Sequence, residues 1–201
     1  MRDGLFPPRI SRMEIRMLIW IMIIAGVIFL DQLSKWLTVI NLDLYETFPL
    51  IDGVFHFTYV RNTGAAFSIF NEPDERWIFM SISTVALIGL SVYLWKKRKE
   101  SKLLCVALSF IIGGGIGNMI DRCILKYVID MLDFRLINFA IFNVADSFVC
   151  VGVGLFALAV ILEEIEEMKK EKAAKLAAAA DSADISSQTE ENEENDNNSD
   201  D

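Results

Sequence analysis

Four long apolar runs constrain what this chain can fold into more than any other feature. Residues 17–30 read MLIWIMIIAGVIFL and resume beyond Asp31 and Lys35 as residues 36–40. Residues 77–95 and 103–120 carry no charge, and residues 142–162 hold a single ionisable side chain, Asp146. A bilayer core about 30 Å thick is crossed by roughly 20 such residues in a helix rising 1.5 Å each. Buried core helices of a soluble domain are the alternative, but four runs this long exceed what a chain of 201 residues could cover. The composition agrees once it is divided. The chain is 53% hydrophobic yet has a net charge of -9. Nine of its acids, and no Lys or Arg, fall in residues 181–201, so the rest is neutral. A basic nucleic-acid binder, a disulfide-stapled miniprotein and a disordered chain are all excluded, and no nucleic-acid partner is expected.

Basic residues orient the spans. Four arginines precede the first run, five Lys/Arg fill the link between the second and third, and four lysines follow the last; only six lie on the other side. The positive-inside rule places both termini in the cytoplasm. Residues 1–16 then form a cytoplasmic segment and 17–162 a four-span membrane domain. Residues 163–180 read as a helical extension, and 181–201 as a disordered acidic tail. The apolar N-terminus lacks a small-residue cleavage site and reads as a retained anchor. Between the first two spans, residues 54–60 (VFHFTYV) alternate with period two and predict a strand bounded by Asp52-Gly53 and Asn62-Thr63-Gly64 turns. A second strand within 65–70 would complete a small outer sheet at about 41–76. His56, the only histidine, is expected to be an exposed strand residue. The expected fold class is an all-α membrane protein with four transmembrane helices, a small outer-face β-sheet and a disordered tail.

Charge inside hydrocarbon costs about 2.5–3.5 kcal/mol on insertion scales, so intramembrane ionisable groups are functional candidates. Here they gather at the outer ends of the spans. Asp31 and Lys35 close the first, Asn118, Asp121 and Arg122 close the third, and Asn143 and Asp146 open the fourth. Asp130 and Asp133 lie on the link between the third and fourth. Spacings of three and four place Asn118, Asp121 and Arg122 on one helical face, and Asn143 with Asp146 on another. Asp31 and Lys35 are spaced to pair. The run 113–117 (GGGIG) contains a small-xxx-small pattern suited to close helix packing in lipid. One His and three scattered Cys argue against a transition-metal site or disulfides, and no metal or cofactor is expected. Hydrolytic chemistry would therefore rest on carboxylates. Two at close range share a proton near neutral pH, one taking a proton from water while the other polarises a carbonyl. Ion-pair scaffolding and proton transport remain open on spacing alone, and a non-catalytic helical adaptor is a further alternative.

These residues resemble the lipoprotein signal peptidases (type II signal peptidases). The match runs through Asp31-Gln32-Leu33-Ser34-Lys35, then Asn62-Thr63-Gly64-Ala65-Ala66-Phe67-Ser68, then GGGIGNMIDR at 113–122 with Val128-Ile129-Asp130, and finally Phe142-Asn143-Val144-Ala145-Asp146. The resemblance covers about residues 15–162. It implies a four-span inner-membrane aspartyl endopeptidase with an outer β-cradle and its site near the periplasmic face. The expected substrates are diacylglyceryl-modified prolipoproteins, cut just before the lipidated cysteine. The resemblance assigns catalysis to Asp130 and Asp146, and site-lining roles to Asp31, Lys35, Asn62, Gly64, Asn118, Asp121, Arg122 and Asn143. The family usually reads Gly-x-Val-x-Asp-Phe, whereas here Lys126 replaces the Gly and Met131 the Phe. Asp133-Phe134 offers a second Asp-Phe pair; Asp130 is preferred for its distance of nine residues from Asp121. A monomer among membrane lipids is expected. The competing function, a proton- or ion-coupled transporter, would require titratable groups through the spans, whose middles carry none.

Overall fold

The structure, a computed structural model, describes residues 12–64, 73–99, 101–137 and 139–197. Helix α1 (Arg12–Asn41) is the first apolar run extended through Asp31 and Lys35. Its last turn closes on itself, with Asn41 Nδ2 donating to the Leu37 carbonyl at 2.7 Å. Strands β1 (Thr47–Ile51) and β2 (Phe55–Asn62) form an antiparallel hairpin. Its turn needs Gly53, whose φ of 67° is left-handed, and the Val54 amide bonds the Ile51 carbonyl at 3.0 Å. Helix α2 (Pro73–Lys97) opens on a proline, which lacks the amide hydrogen a first-turn residue would leave unpaired. Helix α3 (Lys102–Ile124) is capped by Ser101, whose hydroxyl accepts from the Leu104 amide. Strand β3 (Val128–Phe134), a short 3-10 turn (Arg135–Ile137) and helix α4 (Val144–Asn197) follow.

By length and composition, Met13–Asn41, Lys102–Ile124 and Val144–Leu176 are helices able to cross a membrane. Helix α2 carries the uncharged run 77–95. Helix α3 is the hub, packed against α1 and α2. Its glycines show why. A Cβ at Gly113 would lie 2.8 Å from Val27 Cβ on α1, and one at Gly115 would lie 2.6 Å from Leu87 Cδ2 on α2. One at Gly114 would strike the Ala145 carbonyl of α4. The glycine run therefore presents a bare surface to three neighbours at once, as small residues do in lipid.

The sheet has order β1-β2-β3, all antiparallel. The strand expected at 54–60 is β2, shifted by a residue or two. The second strand expected within 65–70 lies outside the described residues. The third strand, β3, comes instead from the link between α3 and α4, so the sheet is not confined to 41–76. That link lacks an alternating pattern because β3 is buried on both faces: all but Leu132 and Phe134 of its residues are buried. His56 is also corrected. It is only 5% exposed, with Nε2 accepting from the Gly53 amide at 3.2 Å, because its face of the sheet is covered and not open to solvent.

Contacts divide the chain into Met1–Ala157 and Leu158–Asp201. In the second unit, helix continues to Asn197 through residues expected to be disordered. The alanine-rich stretch before Asp181 has the highest helix propensity in the chain, and propagation from it costs little per residue.

Candidate active site

Five elements, α1, β2, α3, β3 and the start of α4, bring their polar residues to one place. The site is best built from Lys35, a cation only 2% exposed. Its Nζ lies 2.8 Å from Asp31 Oδ2 and 3.0 Å from Asp121 Oδ2, and donates to Asn118 Oδ1 at 2.9 Å. A buried cation needs such partners, because removal from water costs several kcal/mol per ion. Two carboxylates around one cation leave acceptor capacity over, and Gln32 supplies it with donors. Its Nε2 reaches Asp121 Oδ1 at 2.9 Å, Asp31 Oδ2 at 3.2 Å and the Gly117 carbonyl at 3.2 Å. Sequence reasoning quoted Gln32 within a motif but gave it no role. Its signal was its place between Asp31 and Lys35.

Both carboxylates of this base also hold other elements. Asp31 Oδ1 accepts from the Ala145 amide at 3.0 Å, so a side chain inside α1 caps the start of α4. Asp121 Oδ2 accepts from the Ile129 amide at 3.1 Å, which ties β3 to α3 beside Asp130. Close approach matters here too: a Cβ at Gly117 would lie 2.5 Å from Asp31 Oδ2. The small-residue run thus serves packing and the polar cluster together.

Asn143 and Asp146 form a reciprocal N-terminal box on α4. The Asp146 amide donates to Asn143 Oδ1 at 2.9 Å, and the Asn143 amide to Asp146 Oδ2 at 3.2 Å. Asn-x-x-Asp before an apolar run is the sequence signal for this cap. Asn143 then reaches outward: Nδ2 lies 2.6 Å from Asp130 Oδ1 and 3.0 Å from Asn118 Oδ1. Asn118 Nδ2 donates to Asp146 Oδ1 at 2.7 Å, and Asn62 Nδ2 to Asp130 Oδ2 at 3.0 Å. The Gly64 amide bonds Asn62 Oδ1 at 3.1 Å, and Arg122 Nη1 donates to the Asn118 carbonyl at 3.3 Å. Every expected site residue therefore joins one hydrogen-bonded assembly. Asp130 and Asp146 are both bonded to Asn143, one through its side chain and the other through its backbone.

Burial pushes the Asp130 carboxyl up, and the charge of nearby Asp146 adds to that. The amides of Asn62 and Asn143 offset part of the rise, leaving it at about 6. Asp133 is placed differently. Strand alternation turns it to the opposite face, where Thr58 Oγ1 lies 2.6 Å and Arg135 Nε 2.9 Å from Oδ2. Burial works against its charge, but Thr58 and Arg135 hold its carboxyl below the usual range. Lys126, which stands where the related pattern has Gly, has a φ of 71°. The chain reverses there between α3 and β3, in a conformation that glycine adopts freely.

The family model for signal peptidase (SPase) II matches residues 23–162. The chain belongs to the signal peptidase II family. The lipoprotein signal peptidase of Brevibacillus brevis is 46% identical over 145 residues, 72% of this chain and 96% of the relative. That of Bacillus subtilis is 41% identical over 149 residues, 73% and 96% respectively. A solved structure described as a bacterial membrane enzyme determined by the in meso method is 31% identical. It covers 72% of this chain and 88% of its own, with a TM-score of 0.65. The polar assembly lies wholly within the part of this signal peptidase II chain that the family model matches.

Proposed function

We propose that this membrane-embedded protein is an aspartic endopeptidase that removes the signal peptide from prolipoproteins, cutting just before a diacylglyceryl-modified cysteine. The observation that carries the reading is the pair Asp130 and Asp146, joined through Asn143, with Asp130 raised to about 6. A carboxyl near that value can hold a proton at working pH while its neighbour is charged. Asp146 takes a proton from water, and the oxygen attacks the scissile carbonyl carbon. Asp130 gives its proton to the carbonyl oxygen. When the tetrahedral intermediate collapses, the C–N bond breaks and the leaving amine is protonated from the dyad. A carboxylate remains on the signal peptide and a free amine on the cysteine. Asn118, Asn143, Asn62 and Gly64 orient the dyad, with Arg122 beside it, and Asp31, Lys35 and Asp121 form the base beneath.

Helix α2 is proposed as the fourth span, since run 77–95 is uncharged and bracketed by Trp77 and Trp95. The excess of basic residues at the other ends supports a reading with both termini in the cytoplasm. The dyad then lies near the periplasmic face of the bacterial inner membrane, and the protein works as a monomer among lipids. Neither the family match nor the site favours the transporter alternative.

The test is cleavage by the purified full chain in detergent of one precursor with and without the diacylglyceryl group. Release of the signal peptide from the modified precursor alone is expected. Equal cleavage of both, or of neither, overturns the reading.

A further inference from the structure

Strand alternation puts Asp130, Leu132 and Phe134 on one face of β3. Leu132 pairs with Phe57, and Phe57 with Phe48. An apolar strip therefore begins on the face that carries Asp130, two residues along, a rise of about 6.8 Å. Between this strip and the outer end of α1 lies a groove of about 670 Å3, lined chiefly by Leu37, Leu42, Phe48, Phe57, Leu132 and Val144. Ser34, Thr38 and Asn41 also border it, but each donates to a carbonyl of its own helix: the Ser34 hydroxyl to Asp31 at 2.7 Å, the Thr38 hydroxyl to Ser34 at 2.9 Å and the Asn41 amide to Leu37 at 2.7 Å. Their donors are already engaged, so the wall offers an occupant little besides hydrocarbon. Leu37 is 44% and Phe48 56% exposed, which makes this an open groove and not a packing void.

We propose that this groove seats one acyl chain of the lipid carried by the substrate cysteine. The assignment rests on the peptidase reading above. If the scissile bond lies at Asp130 and Asp146, the lipid-bearing residue is the next one along. Its alkyl chains must leave the dyad within about a residue's length. The groove starts at that distance: Leu132 follows Asp130 by two positions, and Val144 adjoins Asn143. Its volume falls in the range of ligand sites, about 300–1,000 Å3. The polar assembly fixes the peptide bond, and the groove distinguishes a lipidated cysteine from a bare one.

The test compares two lipopeptides of one sequence, dipalmitoyl and dibutyryl, cut by the full-length protein in detergent. Leu37→Trp fills the groove from α1, outside the polar assembly. It is expected to raise KM for the dipalmitoyl peptide about tenfold, equivalent to roughly two buried methylenes, with the dibutyryl peptide within about twofold. Phe48→Ala strips the opposite wall and is expected to show the same chain-length selectivity. A wild-type protein that cuts neither peptide overturns the peptidase reading. A wild type that cuts both, with both variants changing the two peptides alike or not at all, overturns the groove alone.

Discussion

Asp130 and Asp133 stand three residues apart on β3 and meet opposite surroundings. Asp130 faces the helix ends, where its partners are two neutral amides and a neighbouring carboxylate. Asp133 faces the far side of the sheet, against a hydroxyl and a guanidinium. Burial acts on both, so the neighbours decide the outcome: one carboxyl rises and the other falls. The lesson is that the chemistry of an aspartate here is set by which face of one strand it occupies. A one-residue slip in β3 would exchange the two.

The largest effect tests that exchange directly. Asp130→Asn and Asp146→Asn should each reduce kcat on a lipidated precursor by about 10²–10⁴-fold, the range for losing a positioned acid or base. Asp133→Asn should leave cleavage within a few-fold. Cleavage lost in Asp133→Asn and kept in Asp130→Asn would mean that the strand presents its other face to the site.

A second test removes what holds the Asp130 face in place. Lys35→Met leaves Asp31 and Asp121 buried without their cation. Breaking a buried ion pair from one side typically costs about 3–5 kcal/mol. Thermal unfolding in detergent should show a loss of that order, whereas Arg135→Met, beside the half-exposed pair on the other face, should cost far less. Equal losses would mean that the two faces are supported alike.

The two aspartates should also give stability opposite slopes with pH. Asp130 lies at about 6 in the fold against an ordinary 3.8. Between those values the folded state holds a proton that the unfolded state has released. Stability from this group therefore falls as pH rises through the window, by about 3 kcal/mol in total. Asp133 is lowered, so its contribution is present above the ordinary value and is lost as pH falls through its folded pKa. Asp146→Asn removes a charge that raises Asp130 and should flatten the first slope without touching the second. Unfolding of wild type, Asp146→Asn and Asp133→Asn across pH separates them; an unchanged slope in Asp146→Asn would sever the proposed coupling.

How far the sequence could be read follows from the same contrast. Asp31, Lys35, Asp121, Arg122 and Asp146 were legible because charge at the ends of apolar runs is conspicuous, and Asn118 and Asn143 because they share helical faces with them. Asn62 and Gly64 came only from the family resemblance; the helices follow from hydropathy. What local pattern could not show was β3. Val128, Ile129, Asp130 and Met131 are all buried, so period two disappears, and the strand is fixed by pairing with β2 and by Asp121 on the Ile129 amide. Gln32 was given no role because its place one residue after Asp31 lies off the four-residue spacing that marks Asp31 and Lys35 as a pair. Lys126 was seen as a departure from pattern, but its reason, a φ of 71°, is a backbone fact. A left-handed side-chain residue costs about 1–2 kcal/mol, so Lys126→Gly should raise stability by up to about 1 kcal/mol after the entropy that glycine adds to the unfolded chain. A loss of stability would show that the lysine side chain holds the turn in some other way.

The smallest effect is expected where the sheet's kind of support is missing. Strand β3 is held by partners far along the chain, whereas the helix past residue 180 rests on local propensity. Its acids at 190, 191, 193 and 194 stand close together along that helix. Like charges three or four apart each cost a few tenths of a kcal/mol, so acidification should increase helicity there while leaving β3 unchanged. Truncation after residue 180 should keep cleavage within about twofold of the full chain and leave the unfolding midpoint unmoved, because the segment lies outside residues 23–162, which the family model matches. A large loss of activity on truncation would mean that the acidic helix takes part in positioning the site, and that local propensity is not all that holds it.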